Sequence, residues 1–199
     1  MSLSKPNHFL QTAAQDKFFV ELEEQLFKRL KIEATSDQSH ELLKHHAGLK
    51  DEVLLSELSN LGITPESLIV MRLLPLVLVA WAERGVDSKE HAAVLDIARQ
   101  FGIDDWSVAF VLLDHWLQHR PPAECYDAWC RYMKEVTKQM SPASRASLID
   151  ILEQQMTAVA KASGGYIGLG KVSKQERQTI ERLIAVLRHQ MPGDRAETH

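Results

Sequence analysis

Cysteine is scarce in this chain: Cys125 and Cys130 are the only two among 199 residues. They stand five positions apart in a segment of helical pattern, which sets them about 140° apart around the axis and prevents a bridge between them. Two cysteines offer no zinc-finger spacing either, so free, partly buried thiols in a reducing compartment are expected. Long apolar runs are also lacking. The greasiest stretch, Leu68 to Ala82, is 15 residues long and contains Arg72 and Pro75, short of the about 20 apolar residues that cross a bilayer. It reads as a buried core helix. Met1 to Asn7 is polar and has no secretory pattern, which makes the cytoplasm the expected location. Basic charge is not in excess: the formal charge of −4 gives no electrostatic footprint for nucleic acid or for an anionic membrane. Sustained two-residue alternation is missing as well, which excludes half-buried strands. The expected fold is all-α.

What the chain does have is helical periodicity. Phe18, Leu22, Leu26 and Leu30 form an apolar stripe on a helix predicted over 16–33. A polar stretch, 33–40, reads as a linker, and helices are predicted over 40–48 and 51–61. Further helices are predicted over 65–83, 88–101, 105–119, 123–139, 143–162 and 174–190, three of them started by proline. Leu61-Gly62-Ile63-Thr64-Pro65 and Phe101-Gly102-Ile103-Asp104 share a corner design. Glycine takes the left-handed position after the helix and isoleucine folds back on its last turn. Thr64 or Asp104 then caps the next helix. The tail from Pro192 to His199 has no apolar anchor and is expected to fray.

Two segments repeat. Gly85-Val86-Asp87-Ser88-Lys89-Glu90 and Lys171-Val172-Ser173-Lys174-Gln175-Glu176 lie 86 positions apart. At the same offset Val94, Ile97, Ala98 and Phe101 match Ile180, Leu183, Ile184 and Leu187. This is the signature of an internal repeat. Asp87 with Glu90, and Ser173 with Glu176, are capping boxes: the first side chain accepts the glutamate N–H and the glutamate reaches back to the cap N–H. A functional alternative adds Glu83, so that Glu83, Asp87 and Glu90 offer oxygens to a hard divalent cation. Capping already occupies two of these acids, and Arg84 brings a positive charge among them. The copies differ by a six-residue insertion, 165–170. Gly164, Gly165, Gly168 and Gly170 cluster there around Tyr166, Ile167 and Leu169. No Gly-Lys-Ser/Thr ending is present, so this is no P-loop. A compact loop with its apolar residues tucked inward is the simpler reading, and it is the first choice of loop for a partner surface.

Leu76 to Glu90, together with Ala158 to Gly165 running on to Val172–Glu176, resembles the tellurite-resistance TerB-like family. The resemblance covers roughly residues 65–190. It implies an all-helical bundle of two related halves, a link to stress responses, and acidic residues near the turns that bind divalent metal. No enzymatic activity is a property of that family. Here Arg84 stands at a family glycine, and Ser163 replaces the acid in the second copy.

Other candidates carry less. His115 and His119 are spaced to share a helix face, but no glutamate completes a zinc-protease pattern. Arg131, Lys134 and Lys138 read as a solvated ridge, and no nucleophile motif is visible. Trp81, Trp106, Trp116 and Trp129 read as core or helix-interface residues. The sequence therefore divides into an N-terminal helical extension (1–62), a TerB-like domain (63–191) and a tail (192–199). Its expected role is non-enzymatic: an interaction or scaffold module with a protein partner, self-association being possible, and without a cofactor. A divalent-metal-binding protein is the alternative.

Overall fold

The constraint that organises the chain is the helix from Val70 to Ala80, which is apolar on every side. In the computed structural model, which describes residues 24–138, 140–162 and 172–189, Val70, Met71, Leu73, Leu74, Leu76, Val77 and Val79 of this helix are fully buried. A helix with no polar face must be covered all round. Nine α-helices are present among the described residues, and no strand is. In chain order they are α1 (24–34), α2 (Asp37–Ala47), α3 (Glu52–Asn60), α4 (Val70–Ala80), α5 (Ser88–Gln100), α6 (Val108–Gln118), α7 (Glu124–Lys138), α8 (Pro142–Ala162) and α9 (Lys174–His189). A 3-10 turn, Pro65–Ser67, precedes α4.

Helices α5, α6, α7, α8 and α9 all pack on α4. The two repeated apolar quartets serve this packing. Val94, Ile97 and Ala98 are buried on α5 with Phe101 half-buried behind them, and Ile180, Leu183, Ile184 and Leu187 are buried on α9. Helix α8 lies against α4, α5 and α9 together. Leu43 of α2 and Leu54, Leu55 and Leu58 of α3 belong to the same continuous core. Trp81 ties α4 to α6: its indole N–H donates to the Trp116 carbonyl at 2.8 Å, satisfying one of the carbonyls left open in the last turn of α6.

Both glycine corners form as expected. Gly62 and Gly102 take φ of 78° and 77°. The Ile63 N–H reaches the Leu58 carbonyl at 2.9 Å and the Ile103 N–H reaches the Ala98 carbonyl at 3.2 Å. The glycine N–H groups bond to Ser59 and Arg99. These paired bonds close the helix ends, and the buried Ile63 and Ile103 complete the hydrophobic contact.

Four expectations are corrected. The predicted linker 33–40 is only a turn at Thr35-Ser36, because the Ser36 hydroxyl accepts the Ser39 N–H at 3.1 Å and starts α2 at Asp37. The helix predicted from Pro65 opens with a 3-10 turn, pinned by the Thr64 N–H donating to the Ser67 hydroxyl at 2.9 Å. Asp104 does not cap α6. Ser107 does, accepting from the Phe110 N–H at 3.1 Å, so the helix begins three residues later than expected. Trp116 and Trp129 are buried and Trp81 is bonded at an interface, but Trp106 is 96% exposed. The N-terminal part of the first predicted helix, 16–23, and the tail from Pro192 lie outside the described residues. No described helix is long and apolar enough to cross a membrane.

A Cβ at Gly102 would meet no atom within 4 Å, so Gly102→Ala costs only the strain of a positive φ, about 1 kcal/mol. Urea denaturation is expected to show a lower midpoint at an unchanged slope. An unaltered midpoint would count against the left-handed corner.

Candidate functional site

Helix α5 begins at a tightly bonded turn. The Asp87 carboxylate accepts the N–H groups of Lys89 and Glu90, both at 2.8 Å, and the Glu90 carboxylate accepts the Asp87 N–H at 2.9 Å. These bonds satisfy donors that a helix start leaves open, and the negative charge meets the positive end of the helix dipole. Glu83, Arg84 and Asp87 are exposed, while Glu90 is only 5% exposed. The second copy is built alike. Ser173 accepts the Glu176 N–H at 3.2 Å, Glu176 accepts the Ser173 N–H, and Glu176 is 2% exposed. Both glutamates are thus buried against the bundle with their oxygens turned onto their own cap.

The covering of α4 and α8 brings the two turns within electrostatic reach of one another. Burial pushes the Glu90 carboxyl up to about 7 from its ordinary 4.5. The Asp87 N–H opposes that rise, and the negative charges of Asp87, Glu176 and Glu83 add to it. Sequence inspection found both capping boxes but missed their proximity, because residues 86 positions apart are joined only by tertiary packing. Proximity does not assemble a ligand set. Among the described residues no group of three or more His, Cys, Asp or Glu side chains could hold a metal ion. Glu83, Asp87 and Glu90 share the turn, with two of the three engaged in capping. The candidate interaction loop, Gly164, Gly165, Tyr166, Ile167, Gly168, Leu169 and Gly170, lies outside the described residues, as does Ser163.

A second polar constellation was not anticipated. His91 of α5 meets Asp114 of α6, Nε2 to Oδ1 at 2.8 Å, and the other Asp114 oxygen accepts from the Gln118 amide at 2.7 Å. The aspartate orients the imidazole, but no hydroxyl or thiol is bonded to the ring among the described residues, and the pair joins two helices. His115 and His119 do share a face. Their rings stack with centroids 4.6 Å apart, and Phe27 of α1 stacks on His115 at 3.8 Å. The stack therefore docks α1 on α6. Of the ridge, Arg131 bonds to Glu57 at 3.1 Å and Lys138 pairs with Glu135. Cys125 and Cys130 form no disulfide, and burial pushes the Cys125 thiol up to about 12, which suppresses its thiolate.

With the fold and these turns established, comparison gives no relative: no family model, no curated protein and no solved structure matches the chain.

The two turns have a measurable pH signature. Folded Glu90 keeps its proton up to about pH 7 while the unfolded carboxyl releases it near 4.5. Across that window the folded state binds more protons, so the Glu90 contribution to stability is present at low pH and is lost as pH rises. Glu90→Gln retains an oxygen for the Asp87 N–H and cannot ionise. Its melting temperature relative to wild type should climb as pH increases through the window and then level off. Parallel curves for the two proteins would contradict a buried, titrating Glu90.

Proposed function

We propose that this protein is a TerB-like helical module of the tellurite-resistance and stress-response kind, which holds a protein partner and turns over no substrate. The observation that carries the reading is the arrangement of α4–α5 and α8–α9. These are two helix pairs in mutual contact, whose second helices each start at a capping box closed by a buried glutamate. That arrangement agrees with a bundle of two related halves. The side chains at the turns are used in closing helix ends, which suits a scaffold better than a catalyst. In this reading the partner surface lies around the two turns, and Tyr166 and Leu169 are the positions at which the contribution of segment 164–170 is tested.

Lys89 and Lys174 are exposed and stand one and two residues from the capping glutamates, so they report on this surface. Cross-linking of the protein in its native lysate should join a defined partner to Lys89 or Lys174. Recovery of that partner should drop with Tyr166→Ala or Leu169→Ala. A partner cross-linked only to other lysines and indifferent to both substitutions would move the interface elsewhere. The divalent-metal reading draws on less, since the turn acids are largely committed to capping. If it holds, calcium, magnesium or zinc raises the melting temperature of a metal-stripped sample and Glu83→Ala abolishes the gain.

A further inference from the structure

Trp106 is the one tryptophan that the fold does not use. Trp116 and Trp129 fill the core and Trp81 bonds α6, but Trp106 stands 96% exposed at the corner between α5 and α6. That leaves roughly 200 Å² of amphipathic ring in water. Nothing about the corner calls for an indole, because the turn is closed by other groups. Gly102 and Ile103 finish α5 through their backbone bonds to Arg99 and Ala98. On the far side the Ser107 hydroxyl donates to the Asp104 carbonyl at 2.7 Å and accepts from Phe110. Asp105 is held by the Arg99 Nε–H at 3.0 Å, and Arg99 also donates to Asp96 at 2.9 Å. The tryptophan therefore projects from a corner whose backbone is fixed on both sides. A pre-organised anchor of this kind loses little entropy on binding, and tryptophan is the residue most enriched among interface anchors.

The surroundings define what can bind. The ring borders an open groove of about 600 Å³ with Ile103 in its lining and Asp104, Asp105 and Arg99 around it. Asp96, Asp104 and Asp105 set three negative charges against the single guanidinium of Arg99, which is bonded to two of them. Asp104 makes no ion pair among the described residues. Such a rim repels an anionic membrane or a phosphate backbone and attracts a cation. The basic ridge of a second copy is largely committed at home, Arg131 to Glu57 and Lys138 to Glu135, which leaves Lys134 as the ridge cation without an ion pair among the described residues.

We propose that Trp106 anchors a docking site for a basic segment of a partner protein, in which a lysine or arginine side chain lies across the indole and pairs with Asp104. The stem of the side chain covers the ring, its charge faces the ring's negative π surface, and the neighbouring carboxylate completes the recognition. The site extends the interaction reading above and rests on it, but it lies at a different corner from the two capping turns. Its failure therefore leaves cross-linking at Lys89 and Lys174 untouched.

A phage-displayed library of random peptides, panned on the intact protein and counter-selected on Trp106→Ala, tests the proposal. The variant changes a side chain in solvent and keeps the fold. Recovered peptides should be rich in lysine and arginine. Their affinity, measured by fluorescence anisotropy, should fall at least about tenfold with Trp106→Ala. It should fall several-fold with Asp104→Asn and weaken as salt is raised. Recovery of no selective peptide, of peptides without basic residues, or of peptides that bind the variant equally well would overturn the proposal. So would Trp106-dependent self-association of the free protein in sedimentation velocity, which would assign the corner to a second copy.

Discussion

Helix α4 cannot be left in water on any side, and the rest of the fold follows from covering it. Its buried residues point in every direction around the axis, so neighbours are required on each of them, and α5 through α9 supply these. Each covering helix needs only an amphipathic stripe, which α5 and α9 provide with matched apolar quartets. Full burial of each large aliphatic side chain contributes about 2 kcal/mol. Arg72, the single charged residue of α4, is accommodated by lying over the ring of Phe101, its guanidinium carbon 4.4 Å from the ring centre.

Covering α4 so closely draws helix starts into the bundle. A helix start carries unbonded N–H groups, and burying it demands acceptors that come with it. Glu90 and Glu176 meet this demand by folding back on their own caps. The consequence is that two carboxyls are removed from water near one another, and the charge of Glu176 bears on Glu90. Satisfied capping bonds and unfavourable desolvation act in opposite directions at Glu90, and desolvation is the larger. For function this means that the acids at the turns are structural first. The recognition we propose therefore rests on a group that the fold leaves over, the exposed indole of Trp106.

The parts of this architecture written in local sequence were readable from it. The positions of the helices follow from periodicity, the corners at Gly62 and Gly102 from the need for positive φ, and both capping boxes from residues three apart. Local ambiguity accounts for the misplaced starts: Ser107 and Asp104 are both competent caps, and only packing of the Ala109, Leu112 and Leu113 face selects the later one. The polar stretch at 33–40 looked like a linker because its composition is polar, yet Ser36 is a cap and Ala34, Ser39 and Leu43 are buried. Three features were out of reach of any local pattern. These are the approach of Glu176 to Glu90, the His91–Asp114 bond, and the exposure of Trp106. The first two depend on how separate helices pack, and the third on no helix meeting Trp106 at all.

The central claim is that covering α4 buries the Glu90 carboxyl within electrostatic reach of a second buried carboxyl, that of Glu176. Carbon-detected NMR of the glutamate side-chain carboxyls, followed through a pH titration of the wild-type protein and of Glu176→Gln, tests it most directly. The account predicts that Glu90 titrates near 7 in the wild type and at a lower pH once the charge of Glu176 is gone. A Glu90 that titrates near 4.5, or whose titration is unmoved by Glu176→Gln, would contradict it.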